Sequence, residues 1–151
     1  MSEKGHLPTI AYGYDEGELR NSLFYSPDQL DRLEKALLTR PEVYKISEGI
    51  SDLETLKSLK ERGVDQVELV GSFGLLCVTG GVLDALDLGF SVTVPQDLLL
   101  NEKTITPEEF RENVAYFLKL DQESKSLRIG LKYEYQFIDG IHHFKPAPST
   151  G

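Results

Sequence analysis

The stretch of the chain best suited to chemistry is Val67-Glu68-Leu69-Val70-Gly71-Ser72-Phe73-Gly74-Leu75-Leu76-Cys77-Val78, an apolar run that ends in a glycine-containing loop and a thiol. If a helix begins at Cys77, its unpaired N–H groups and the positive end of its dipole lie beside the sulfur and favour thiolate over thiol. Backbone N–H groups of the same turn, those of Phe73 and Cys77, would be placed to hold the oxyanion formed when a thiolate attacks an amide or ester carbonyl. The plainer alternative makes Cys77 a small buried hydrophobe, since free cysteines are among the most buried residue types. The segment by itself leaves both readings open.

The elements that would position this thiol can be read along the chain. Leu7 to Tyr12 predicts a short strand ending at Gly13. Ser26, Pro27 and Gln29 combine an N-cap, a proline at the first helical position and a capping-box partner, so a helix begins there and buries Leu30, Leu33 and Leu37 until Arg40-Pro41 stops it. Val43 to Ile46 reads as a strand, and Ser51 with Glu54 forms a second capping box for a helix carrying Leu53, Leu56 and Leu59 up to Gly63. Strands at Val67–Val70 and Phe90–Val94 flank a helix from Cys77 to Leu88, ended by Gly89. Thr79-Gly80-Gly81 lacks the lysine and the strand-loop context of a phosphate loop and is assigned to close helix packing.

Strands alternating with helices imply parallel pairing through crossover helices, hence an α/β, three-layer α/β/α fold with a mainly parallel sheet. Thr106, Pro107 and Glu109 open a further helix with Phe110, Val114 and Phe117 on its apolar face. From Leu127 to Phe137 apolar and polar residues alternate, and Asp139-Gly140 supplies a hairpin turn to a returning strand at Ile141–Phe144. A C-terminal antiparallel ribbon is therefore expected, either packed on its own sheet or completing a homo-oligomer interface.

Composition bounds the partners. With 25 acidic against 16 basic side chains the formal charge is -9, and no Lys/Arg cluster offers a footprint for a nucleic-acid backbone. The lone cysteine cannot form an intramolecular disulfide, which favours a reducing, cytoplasmic setting. No apolar run approaches the roughly 20 residues that span a bilayer, and the first residues lack a signal peptide's apolar stretch. No membrane partner and no cofactor motif is expected. Of the histidines, His6 stands apart, and the adjacent His142 and His143 would point to opposite faces of a strand, so no metal site is expected.

A family resemblance sharpens the reading of Cys77. Gly71 lies six residues before Cys77-Val78, followed by Asp84-Ala85, Gly89-Phe90, Val92, Val94 and Asp97, and this register resembles the C-terminal half of isochorismatase-like cysteine hydrolases, which include nicotinamidases. Upstream, Val43-Tyr44-Lys45 resembles the family's strand with a catalytic lysine, so the resemblance covers about residues 43 to 97. It implies a cysteine nucleophile at Cys77, with Lys45 favouring the thiolate and its neighbouring carboxylate, and a small-molecule amide or related substrate. The alternative for Lys45 is a solvated lysine at a strand end.

The family's Asp-x-Gln motif is absent, which would make the chain a truncated or divergent member. Two placements of the N-terminus compete. Either Leu7–Tyr12 is similar to the family's second strand and the aspartate is missing, or Thr9–Tyr14 is a first strand and Asp15 stands in as the base. Two functions follow: a cysteine-dependent amidohydrolase, or a non-catalytic binding or scaffold member of the same fold. Residues 1–145 are expected to form one such domain, with 146–151 as a flexible tail.

Overall fold

The structure, a computed structural model, describes residues 7–15, 18–19, 24–47, 52–101, 103–124 and 127–147. The central strand β1 (Thr9–Asp15) runs parallel to β3 (Val43–Ser47) on one side and to β4 (Gln66–Ser72) on the other, with the two-residue β2 (Glu18–Leu19) folded back on its end. Next to β4 comes β5 (Ser91–Pro95), also parallel, and beyond a single 3₁₀ turn β6 (Leu99–Leu100) pairs with the last residues of β4. Two antiparallel strands, β7 (Tyr133–Ile138) and β8 (Ile141–Pro146), complete the sheet, with β8 lying between β5 and β7.

Helices cover both faces. α1 (Pro27–Leu38) lays Leu33, Leu30 and Leu37 against a core that includes Ala11, Tyr14, Val70 and Leu100. The opposite core takes Leu56 and Leu59 of α2 (Leu53–Glu61), Val82, Leu83 and Leu86 of α3 (Thr79–Asp87), and Phe110 and Val114 of α4 (Pro107–Ser124). Each fully buried leucine stabilises the fold by about 1.5–3 kcal/mol before conformational entropy is counted. The fold is thus a three-layer α/β/α arrangement on a mainly parallel sheet with a C-terminal antiparallel ribbon. Among the described residues no helix is long and apolar enough to cross a membrane.

The local signals act as the sequence predicts. Ser26 accepts from the Gln29 N–H at 3.2 Å while the Ser26 N–H donates to the Gln29 side chain at 3.1 Å, and Thr106 and Glu109 repeat this exchange at the start of α4. Asp139 and Gly140 both adopt positive φ, as a two-residue hairpin turn requires. The ribbon packs on its own sheet through β8.

Three expectations change. The alternating run from Leu127 does not start as a strand: Arg128 and Gly130 take positive φ, the Gln122 amide donates to the Arg128 carbonyl at 2.7 Å, and pairing begins only at Tyr133. Two ion pairs made by the Arg128 side chain, to Asp84 and Asp121, hold that turn against α3 and α4 and override the period-two pattern. At α2, Ser51 of the expected capping box lies outside the described residues, and the N-cap is Asp52, whose carboxylate is committed to tertiary contacts. At the C-terminus, Pro146 closes β8 and the Ala147 N–H donates to the Lys132 carbonyl, while 148–151 lie outside the described residues.

On β8 the two histidines do part to opposite faces. His142 is fully buried, its Nδ1 facing the Tyr135 hydroxyl at 2.7 Å and its Nε2 facing Gln96 Oε1 at 2.6 Å. Burial, and to a lesser extent the charge of His143, pushes its pKa down to about 4. An unfolded histidine titrates near 6.5, so between these values the unfolded chain binds more protons and stability falls as pH falls. The contribution is fully present above pH 6.5 and is lost on acidification towards pH 4, by on the order of 3 kcal/mol. Urea titrations at pH 6.5 and 4.5 should show this loss in the wild type, and a visibly smaller one in His142→Gln.

Candidate functional site

β4 delivers the chain to the C-terminal edge of the parallel sheet, the edge at which open α/β folds place their ligands. Gly71 has φ +107°, and a Cβ there would stand 2.4 Å from the Tyr12 carbonyl oxygen, so only glycine lets β4 lie this close to β1. Ser72 and Phe73 follow, joined by a cis peptide bond. The backbone then winds into a π-helical turn over Gly74–Val78 and passes directly into α3.

Cys77 lies in that turn. The helical stretch therefore starts at Gly74, three residues before the thiol, and the expected helix start at Cys77 is corrected to this earlier position. The cause is the way its carbonyls are used. That of Phe73 accepts from the N–H groups of both Leu76 and Val78, and that of Gly74 accepts from the Thr79 hydroxyl at 2.9 Å. From α4, the Asn113 amide donates to the Leu75 carbonyl at 2.8 Å and to the Thr79 hydroxyl at 2.9 Å, fixing the turn to a second helix. Cys77 is a free, half-buried thiol packed against the core on the α3 side, and neighbouring Leu76 is exposed. Such a thiol is held rigidly without being sealed off.

Lys45 and Cys77 are not brought together. Lys45 sits on β3 in register with Ala11, is exposed, and holds its ammonium 5.1 Å above the ring of Tyr14. Its neighbour Val43 packs on the α1 side of the sheet, the opposite core from Cys77. Asp15 is the last residue of β1, the strand flanked by β3 and β4, so its backbone stands at the same sheet edge as the Cys77 turn; its side chain lies outside the described residues.

A buried polar group that the sequence reading did not anticipate lies under α3. The Tyr12 hydroxyl donates to Asp52 Oδ2 at 2.5 Å. Asp84 lies within hydrogen-bonding range of Asp52 and is paired with Arg128, which also binds Asp121. Burial, then the proximity of Asp52, raises the Asp84 carboxyl to about 7 despite Arg128. Burial and Asp52 also raise the Tyr12 phenol well above its ordinary value, with smaller contributions from Asp84 and Cys77. Asp84 could be noticed in the sequence only as part of the family register, and nothing local marked Tyr12 or Asp52 as its partners. The assignment of Gly80-Gly81 to close packing is realised at Gly81, where a Cβ would fall 2.2 Å from the Tyr12 hydroxyl oxygen.

A cavity of about 390 Å³ opens beside the turn, its lining including Gln29, Arg32, Leu99, Lys103, Ile105 and Thr106. Leu99 and Ile105 are also the nearest side chains to Gly74. A larger cavity of about 470 Å³, with Gln66, Thr93 and His143 in its wall, lies by the ribbon and shares no lining residue with the Cys77 turn. Among the described residues no group of three or more His, Cys, Asp or Glu is gathered as a metal site would need.

Residues 44–111 match the model of the isochorismatase domain family. No curated protein matches the chain. Among solved structures, it is similar to the nicotinamidase from Staphylococcus aureus, at 17% identity over 83% of this chain and 98% of that one, with a TM-score of 0.44. It is also similar to the nicotinamidase from Bacillus subtilis, at 17% identity over 80% and 72% of the two chains with a TM-score of 0.38. A third similarity is to the pyrazinamidase/nicotinamidase from Streptococcus mutans UA159, at 22% identity over 78% and 71% with a TM-score of 0.37.

Proposed function

Because the chain carries an isochorismatase-like domain, matched over residues 44–111, we propose that it is a hydrolase using Cys77 as the nucleophile on a small amide or related carbonyl substrate. The observation that carries this reading is the placement of a free, half-buried thiol in a braced turn at the C-terminal edge of a parallel sheet. In the proposed reaction the Cys77 thiolate attacks the carbonyl carbon, and the resulting oxyanion is met by the backbone N–H groups of Phe73 and Cys77. Collapse breaks the C–N bond, the amine leaves with a proton, and a thioester remains. Water then adds to that thioester, releasing the acid and restoring the thiol.

Asp15, at the end of β1, is the carboxylate we assign to take the thiol proton and return it to the leaving amine. Lys45 reaches towards the thiol only by swinging its four-carbon stem away from Tyr14, and its charge then favours both anions. The cavity beside Gly74, with Arg32 and Lys103 in its wall, is large enough to receive a small substrate.

A panel of small amides, nicotinamide among them, tests the reading. Turnover of at least one member is expected, and acid quenching during turnover should leave an acyl adduct on Cys77 detectable by mass spectrometry. Inactivity across the panel with no adduct would favour the non-catalytic binding or scaffold reading, for which the exposed Lys45, parted from Cys77, is the supporting observation.

A further inference from the structure

The mechanism above leaves three buried ionisable groups without a task. Gly81 lies one helical turn beyond Cys77, and Asp84 nearly one turn further along the same face. The Tyr12 hydroxyl occupies the gap that the absent Gly81 side chain leaves, so the phenol sits on the helix between thiol and carboxylate. Asp52, capping α2, receives its hydrogen bond. We propose that Tyr12, Asp52 and Asp84 form a buried acid cluster that sets the reactivity of the Cys77 thiol, with Tyr12 as the positioning residue that couples them. The inference rests on the reading of Cys77 as a nucleophile.

The cluster draws charged groups from every element packed around it: Tyr12 from β1, Asp52 from the start of α2, Asp84 and Cys77 from the α3 stretch, Asp121 from α4 and Arg128 from the turn that follows. Two carboxylates this close share one proton at low pH, and Arg128 is divided between Asp84 and Asp121. When the shared proton leaves, near pH 7, a second uncompensated negative charge appears in a low-dielectric site beside the thiol. That charge opposes a thiolate. Ionisation of the cluster therefore restrains Cys77 on the alkaline side and leaves it unrestrained on the acid side.

The pH profile of Cys77 alkylation by iodoacetamide in the full native chain reads this directly, without reference to any substrate. Asp84→Asn, held neutral at all pH values, should label at the wild-type rate at pH 6 and roughly fivefold faster at pH 8.5. Tyr12→Phe removes the donor from Asp52, so the shared proton persists to higher pH and the wild-type break in the profile should move up by about one pH unit. This second variant keeps the ring and the Arg128 pair, and it carries the test if Asp84→Asn does not fold. A rate ratio that is the same at both pH values, or a Tyr12→Phe profile superimposable on wild type, would overturn the cluster's role while rapid native labelling still upheld a reactive Cys77. A thiol that labels only after denaturation would overturn both.

Discussion

Gly71→Ala should leave the protein unable to fold to a soluble state at 37 °C, or lower its melting temperature by more than about 10 °C. Two costs combine at this position. The backbone is at φ +107°, where an L side chain is strained, and the new methyl group would stand 2.4 Å from the carbonyl oxygen and 2.8 Å from the nitrogen of Tyr12. Both atoms are backbone of the central strand, so neither can rotate away. Relief requires β1 and β4 to separate, and their separation disturbs both cores together; the expected cost exceeds about 4 kcal/mol. Gly63→Ala is the matching control. It also has a positive φ, +85°, but nothing lies within 4 Å of the added carbon, so only the conformational strain of about 1 kcal/mol remains. Thermal melts of the two variants separate steric from conformational cost.

For the chemistry, Cys77→Ala should abolish any amide hydrolysis found, with kcat falling by about 10³-fold or more and no acyl adduct formed. Cys77→Ser should retain far less than wild type, because a hydroxyl is much harder to ionise than a thiol. Folding should be little affected, since the turn is held by the Phe73 and Gly74 carbonyls, the Thr79 hydroxyl and the Asn113 amide and by nothing from the sulfur. Lys45→Ala should slow the reaction by about tenfold and should act most on the acid side, where the loss of its charge leaves less thiolate. Steady-state kinetics of the four proteins on the first amide turned over provide the check. Undiminished activity in Cys77→Ala would remove the thiol from the mechanism altogether.

What could be read from the sequence was local or periodic. The capping boxes at Ser26 and Thr106, the leucine stripe of α1 and the Asp139-Gly140 turn depend on neighbours a few residues apart, and each forms as its residue types require. The crossover from β4 through α3 to β5 followed from element order alone. The misreadings share a cause in long-range contacts. Arg128 breaks the alternating run because Asp84, 44 residues earlier, binds it. The π-helical turn owes its bracing to Asn113, 38 residues beyond Leu75. In the candidate site, Cys77 was legible as the chain's one thiol in a strand-to-helix loop, whereas the Tyr12–Asp52 bond spans 40 residues and joins a strand to a helix cap. No window of sequence contains both partners.

The position of β8 has a consequence for how the chain must assemble as it is made. β8 is the last strand in sequence yet lies inside the sheet, between β5 and β7. Until residues 141–146 leave the ribosome, the outer edge of β5 has no partner, and Val92 and Val94 lack the cover that Phe144 later shares with them. Synthesis therefore passes through a stage in which most of the parallel sheet exists with an open, apolar margin, the kind of edge that recruits strands from other chains. Closure comes late and from a hairpin whose turn is strongly specified, so the vulnerable interval ends once Asp139 and Gly140 bring the final strand back.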